Sequence, residues 1–237
     1  MGKKNEKTRS GRGRRQPRPG DMLFAVIGIG RFGSAVAGEL ARKGYDVIVV
    51  DRDRQAIDLA SEYTENAFLT DDLSYENLKE AGVGEADCVI IGMAGHLETS
   101  VLCAMTVKKL GVPRIMAKAN SPEHGEILRL LGAEVVYPEH DMGVRLAAKL
   151  SSPNVIEYLS LSDELDLVEI NLTAAADGKT VQQLNVRQTF GLNIVAVSHD
   201  GSMTADIRPD TKLHGSDTVT VIGKKTDIKR FEEYLSR

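Results

Sequence analysis

The sequence predicts an α/β chain: a doubly wound parallel sheet over the first two thirds, then a small α+β unit. Three observations carry this. Short apolar runs of strand length alternate with helical apolar spacing from Leu23 to Leu150. A glycine-rich turn, Gly28-Ile29-Gly30-Arg31-Phe32-Gly33, joins the first strand to the first helix. Beyond the breaker cluster Ser151-Ser152-Pro153-Asn154 the apolar period changes to two.

Leu23–Gly28 is a continuous apolar run, which suits a strand buried on both faces. Arg31–Lys43 places Phe32, Ala35, Val36 and Leu40 at helical spacing, and Gly44 stops the helix. Asp46–Asp51 is a second buried strand, followed by a polar-faced helix over Arg54–Tyr63. The alternation continues with a strand at Ala67–Leu69, a helix at Tyr75–Ala81, a strand at Val89–Ile91 and a helix at Leu97–Leu110. After Gly111-Val112-Pro113 come strand Ile115–Ala117, helix Glu123–Leu131, strand Glu134–Tyr137 and a helix over about Asp141–Leu150. Short connections between such elements require parallel strands with helices on both faces. In the last third, Val168/Ile170/Leu172, Ile194/Ala196 and Val219/Val221 alternate as half-exposed strands do. Asp200-Gly201 is a hairpin turn, and the terminal helix carries Ile228, Phe231 and Leu235 on one face. The expected organisation is a basic tail (1–21), a nucleotide-binding domain (22–140), a crossover helix and hinge (141–156) and a C-terminal domain (157–237).

Composition bounds the function. The chain has 237 residues, 42% of them hydrophobic and 27% charged, with a formal net charge of −4. This is globular composition. Residues 1–20 hold eight basic residues against one acid, Glu6, so the remainder is strongly acidic. The head lacks apolar periodicity and reads as disordered. It is not a signal peptide, because no apolar segment follows its charges. The acidic body argues against nucleic acid as a partner. No apolar run approaches membrane-spanning length, so the chain is not itself a pore. Two cysteines, Cys88 and Cys103, both in apolar surroundings, exclude a disulfide scaffold and fit a reducing cytoplasm.

The glycine turn is the G-x-G-x-x-G of a Rossmann-like nucleotide site. Gly28 permits the tight turn, Gly30 lets a phosphate approach the backbone, and Gly33 lets helix and strand pack. Helix amides then face the anion. Asp51 ends the second strand 18 residues past Gly33, where a carboxylate accepts from ribose hydroxyls and disfavours a 2′-phosphate. The histidines (His96, His124, His140, His199, His214) occupy no recognisable catalytic setting.

Beyond this local reading, the chain from about Met22 onward resembles the RCK family, the regulators of potassium conductance, in its soluble Ktr/Trk potassium-uptake form. The resemblance is carried by Phe24–Ala37, Val49–Asp51, Lys118-Ala119-Asn120, Leu130–Gly143, Leu184–Val197 and Lys224–Glu233. It implies a cytoplasmic, non-enzymatic gating subunit, peripheral on the membrane's inner face. The subunit would form homodimers and a ring of eight beneath a membrane potassium channel. ATP or ADP, and in some members NAD or NADH, would set the ring's shape.

Matched residue by residue, the resemblance puts phosphates at Gly28, Gly30 and Gly33 and ribose at Asp51. Arg31 would reach phosphate oxygens, including those of a neighbouring subunit's nucleotide. Phe32, Arg52, Asp71, Asp72 and Lys118 flank the nucleotide. The turn Thr70-Asp71-Asp72-Leu73 departs from the family's usual Gly-Asp-Ala-Thr. Glu139 matches the carboxylate that holds a divalent cation, such as Mg²⁺ or Ca²⁺, between two nucleotides. In some relatives the C-terminal domain binds cyclic di-AMP, which would bring Arg187 to a phosphate and Asn193, Ile194 and Pro209 to the base pocket. The rival readings are an NAD-dependent Rossmann oxidoreductase, which needs a substrate domain, and a transcription regulator, for which no helix-turn-helix is legible.

Overall fold

The computed structural model of the chain describes residues 22–162 and 164–236; the basic tail expected over residues 1–21 lies outside them. The chain divides into two compact units, the first ending at Pro138 and the second beginning at Glu139.

In the first unit the elements run β1 (Leu23–Ile27), α1 (Arg31–Arg42), β2 (Asp46–Asp51), α2 (Arg54–Ala60), β3 (Asn66–Leu69) and α3 (Tyr75–Glu80). They continue with β4 (Cys88–Ile91), α4 (Leu97–Lys109), β5 (Ile115–Lys118), α5 (Pro122–Leu130) and β6 (Glu134–Val136). The strands form one sheet in the order β3-β2-β1-β4-β5-β6, with every pairing parallel. Consecutive residues of the central strands feed two cores. Ala25, Ile27, Ile48, Val50, Val89 and Ile91 face Leu78, Cys103, Val107 and Leu128 of α3, α4 and α5. Val26, Val47, Val49 and Ile90 face Ala37, Ile57 and Ala60 of α1 and α2. This is why the strands read as unbroken apolar runs: both faces are covered, and each buried Val or Ile contributes about 1.5–3 kcal/mol.

Two helix limits differ from the sequence expectation. α2 ends at Ala60 rather than Tyr63, where a turn forms and the Thr64 hydroxyl donates to the Val47 carbonyl at 2.5 Å. The helix expected from Asp141, here α6 (Pro138–Ser151), opens three residues earlier. Proline suits a first helical position, because its φ is preset and its missing N–H has no helical acceptor there.

The second unit continues with β7 (Val155–Ser160), β8 (Leu165–Asn171), α7 (Val181–Leu184), α8 (Val186–Phe190), β9 (Asn193–His199), β10 (Ser202–Thr204), β11 (Thr218–Lys224) and α9 (Lys225–Leu235). Its sheet, β10-β9-β11-β8-β7, is antiparallel throughout. Val168 and Ile170 of β8 and Val219 and Val221 of β11 share a core with Ile228, Phe231 and Leu235 of α9. Asp200 and Gly201 both have positive φ, the geometry a two-residue hairpin requires. β7 lies outside the alternating runs read from the sequence, so the boundary expected after residue 156 falls inside a strand. Its burial pattern fades to exposed at Leu159 and Ser160, which hides the two-residue period. No helix among the described residues is long and apolar enough to cross a membrane.

Candidate functional site

In a parallel sheet all strand ends point the same way, and a crevice opens where the order reverses. Here that point lies between β1 and β4. The segments after β1, β2, β3 and β4 line a single cleft of about 690 Å³.

The glycine turn forms one wall. Gly28 has φ +85°, and its amide donates to the Val50 carbonyl at 2.8 Å. A Cβ at Gly33 would sit 2.1 Å from the Gly28 carbonyl oxygen, so α1 reaches β1 only through a glycine. Around Gly30 the space for a Cβ is open. Gly30 caps α1 with no side-chain hydrogen bond, and no acid sits in the first turn. The first-turn amides and the dipole of α1 are therefore left for an anion.

Asp51 forms the opposite wall and ties it to the first. One carboxylate oxygen accepts the Ile29 amide at 2.6 Å, and the other accepts the Asp53 amide at 2.9 Å. Each oxygen keeps a lone pair for a ligand hydroxyl. Beyond Asp51, Arg52 also faces the cleft.

The turn after β3 closes the next side. The Thr70 amide donates to the Asp51 carbonyl at 2.9 Å, and the Thr70 hydroxyl donates to the Asp72 carbonyl at 2.9 Å. The Asn77 side-chain Nδ2 donates to that carbonyl as well, at 3.1 Å, so the departing Thr70–Leu73 turn is an ordered one. Asp71 and Asp72 thereby line the cleft. With Glu98 they make its lining rich in carboxylates, which favours hydroxyl and amino donors and disfavours anions on that side.

Of the residues singled out in the sequence, Gly28, Gly30, Asp51, Arg52, Asp71 and Asp72 line this one cleft. The other expected residues stand elsewhere. Gly33 is buried behind the turn. Arg31 is exposed at the first position of α1. Phe32 and Lys118 meet each other, with the ammonium 6.0 Å from the ring centroid, but do not line the cleft. Glu139 belongs to the second unit, in the first turn of α6, because that helix starts at Pro138. In the second unit Arg187, Asn193 and Pro209 are exposed and Ile194 is half-buried, while Leu184 and Val186 are core.

Sequence reading missed the β4 contribution: Gly92, Met93, Gly95, His96 and Thr99. A Cβ at Gly92 would lie 2.4 Å from the Gly28 carbonyl oxygen, and the Gly92 amide donates to Ile27 at 2.8 Å. The available signal was a Gly directly after an apolar strand, repeating the position of Gly28. Cys103 also borders the cleft, but burial pushes its thiol up to about 12, so it is not a nucleophile at neutral pH.

Comparison with known proteins finds one family match within each unit. Residues 24–138 match the TrkA-N domain, and residues 167–236 match the TrkA-C domain. The Ktr system potassium uptake protein A of Bacillus subtilis (strain 168) is 35% identical over 210 residues, covering 88% of this chain and 95% of the relative. The Ktr system potassium uptake protein C of the same organism is 35% identical over 211 residues, covering 89% and 96%. Among solved structures, the GsuK RCK domain superposes with a TM-score of 0.63 at 22% identity, covering 94% of this chain and 50% of that one, a likeness of fold. With identity sustained along nearly the whole of both sequences, and both domains matched in order, this chain belongs to the RCK family, in its branch of Ktr/Trk potassium uptake proteins.

Proposed function

We propose that this chain is the cytosolic, nucleotide-sensing regulatory subunit of a potassium uptake system. The observation that carries the reading is the joined pair of walls: an uncapped glycine turn on α1, braced by a carboxylate with lone pairs to spare. A ribose fits Asp51, and a phosphate fits the amides around Gly28 and Gly30. ATP and ADP share those contacts and differ only in the outer phosphate. Arg31 heads α1 and offers a fixed fork of donors to phosphate. Glu139 supplies a hard oxygen ligand for a divalent cation such as Mg²⁺ or Ca²⁺. A ligand moves an equilibrium between shapes only through contacts that differ between them. Arg31 and the cation at Glu139 provide that difference, so ATP and ADP favour different shapes of a homo-oligomeric ring docked on a membrane potassium channel.

NAD and NADH present the same adenosine diphosphate group and compete for the same cleft. Cyclic di-AMP, at Arg187, Asn193, Ile194 and Pro209, is a second input on the C-terminal unit. The chain does no covalent chemistry in this reading.

Calorimetry on the full chain with ATP, ADP and NADH, each with Mg²⁺, tests the proposal. Saturable binding of adenosine nucleotides is expected, with Arg31→Ala weakening ATP more than ADP. Absence of heat with every adenosine compound would sink the reading. Steady oxidation of NADH by added small carbonyl substrates would replace it with an oxidoreductase.

A further inference from the structure

One cluster in the second unit, His199, His214 and Asp217, includes none of the residues assigned above to a nucleotide. The antiparallel register that pairs Thr218 with Ser198 sets Asp217 against His199 at the end of β9. Three residues earlier, the turn closed by the Asp217 amide on the His214 carbonyl (3.0 Å) swings His214 to the same place. His199 Nδ1 lies 2.6 Å from Asp217 Oδ1, and His214 Nδ1 lies 3.4 Å from Asp217 Oδ2. The imidazole rings stand side by side, with centroids 4.6 Å apart and planes tilted by 36°. Asp200 Oδ2 is 3.5 Å from His199 Nε2 on the outer side.

Asp217 is fixed and hidden. It is 1% exposed, its Oδ2 accepts the His214 amide at 2.8 Å, and its carbonyl accepts the Leu172 amide at 2.8 Å. The Gly215 amide, donating to Asp177 at 2.8 Å, pins the turn itself. The histidine side chains are about half open to solvent, at 52% and 49% exposure.

We infer that His199, His214 and Asp217 form a binding site for a borderline transition-metal dication of the Zn²⁺ class. One ligand atom from each of the three residues falls within 4.8 Å of the others. Tetrahedral Zn²⁺ at its usual bond lengths of about 2.0–2.2 Å sets ligand atoms roughly 3.3–3.6 Å apart; the His214–Asp217 pair at 3.4 Å already fits, and the His199–Asp217 pair at 2.6 Å must open. Each ring binds as neutral imidazole with its proton on Nε2, so a proton now shared between Nδ1 and the carboxylate moves to Nε2, and the rings open slightly to admit the ion. Two imidazoles with one carboxylate select Zn²⁺, Co²⁺ or Ni²⁺ over Mg²⁺ and Ca²⁺, which prefer all-oxygen shells. The exposed side leaves the fourth position to water. The ion would staple the end of β9 to the segment entering β11. The alternative is a hydrogen-bonded staple that needs no metal.

The test uses the full chain without a polyhistidine tag. Titration with CoCl₂ should give visible d–d absorption saturating at one equivalent, and ZnCl₂ should abolish it. His199→Gln and His214→Gln, checked for folding by circular dichroism, should each weaken Co²⁺ binding by at least about tenfold. In the unaltered protein, Zn²⁺ should shift the NMR ring resonances of His199 and His214 and leave those of His96, His124 and His140. Absence of saturable Co²⁺ binding, binding retained by both variants, or ring shifts confined to the other histidines would overturn the site.

Discussion

Asp51 braces two backbone segments and, in the proposed reading, still offers lone pairs to a ribose. Its two oxygens accept amides from the glycine turn and from the start of α2, and both bonds are charge-assisted. Asp51→Ala removes them at once and frees Ile29 from its acceptor, at a cost of about 1.5–3 kcal/mol for each hydrogen bond to a charged group. Calorimetry should therefore find ATP, ADP and NADH all weakened by a similar factor, on the order of tenfold or more. Selective loss of one ligand would contradict the ribose role. The thiols make a second case at this scale. Burial raises Cys88, with Arg114 opposing the shift, and holds Cys103 at about 12. Neither forms appreciable thiolate at pH 8, and both are about 1% exposed. A colorimetric thiol reagent should release no signal from the native protein within minutes and two equivalents after denaturation, matching the two cysteines. Rapid native reaction would mean the cleft floor opens.

At the scale of elements, the approach of α1 to the sheet depends on missing methyl groups. Glycine inside a helix costs about 0.5–1 kcal/mol relative to alanine, so propensity alone favours Gly→Ala anywhere in α1. Position decides the sign. Gly38 has nothing within 4 Å of a built Cβ, whereas the Cβ at Gly33 would meet backbone oxygen at 2.1 Å. Gly38→Ala should stabilise the first unit by about 0.5–1 kcal/mol. Gly33→Ala should destabilise it by about 1–3 kcal/mol, since the carbonyl cannot swing aside as a flexible side chain could. Gly92→Ala should behave like Gly33→Ala, because it meets the same oxygen at 2.4 Å. Chemical denaturation of the three variants checks this, and equal effects at Gly33 and Gly38 would refute the packing argument.

For the molecule as a whole, the proposed gate converts a difference of one phosphate into a difference of assembly. Ligand bound at about 100 times its Kd stabilises the form that binds it by about 2.7 kcal/mol. That is ample to shift a ring whose two shapes differ by a few kcal/mol. Glu139→Gln keeps the size of the side chain and removes the charge. Light scattering with ATP should show the Mg²⁺-dependent change in mass or shape reduced in this variant, while the ADP response stays as it was. An unchanged Mg²⁺ response would take Glu139 out of the cation site.

Much of this is legible in the sequence alone. The βα alternation, the glycine fingerprint with Asp51 beyond it and the Asp200-Gly201 hairpin are local patterns, fixed by apolar period and by the φ a residue tolerates. The rest is non-local. Which strand ends adjoin depends on the crossover between β1 and β4, so it is the sheet order that brings Gly92, His96 and Thr99 to the cleft. The meeting of His199 with Asp217 follows from the register of β9 on β11, a pairing that no stretch of contiguous residues encodes. Periodicity records which face of an element is buried. Tertiary packing decides what that face meets.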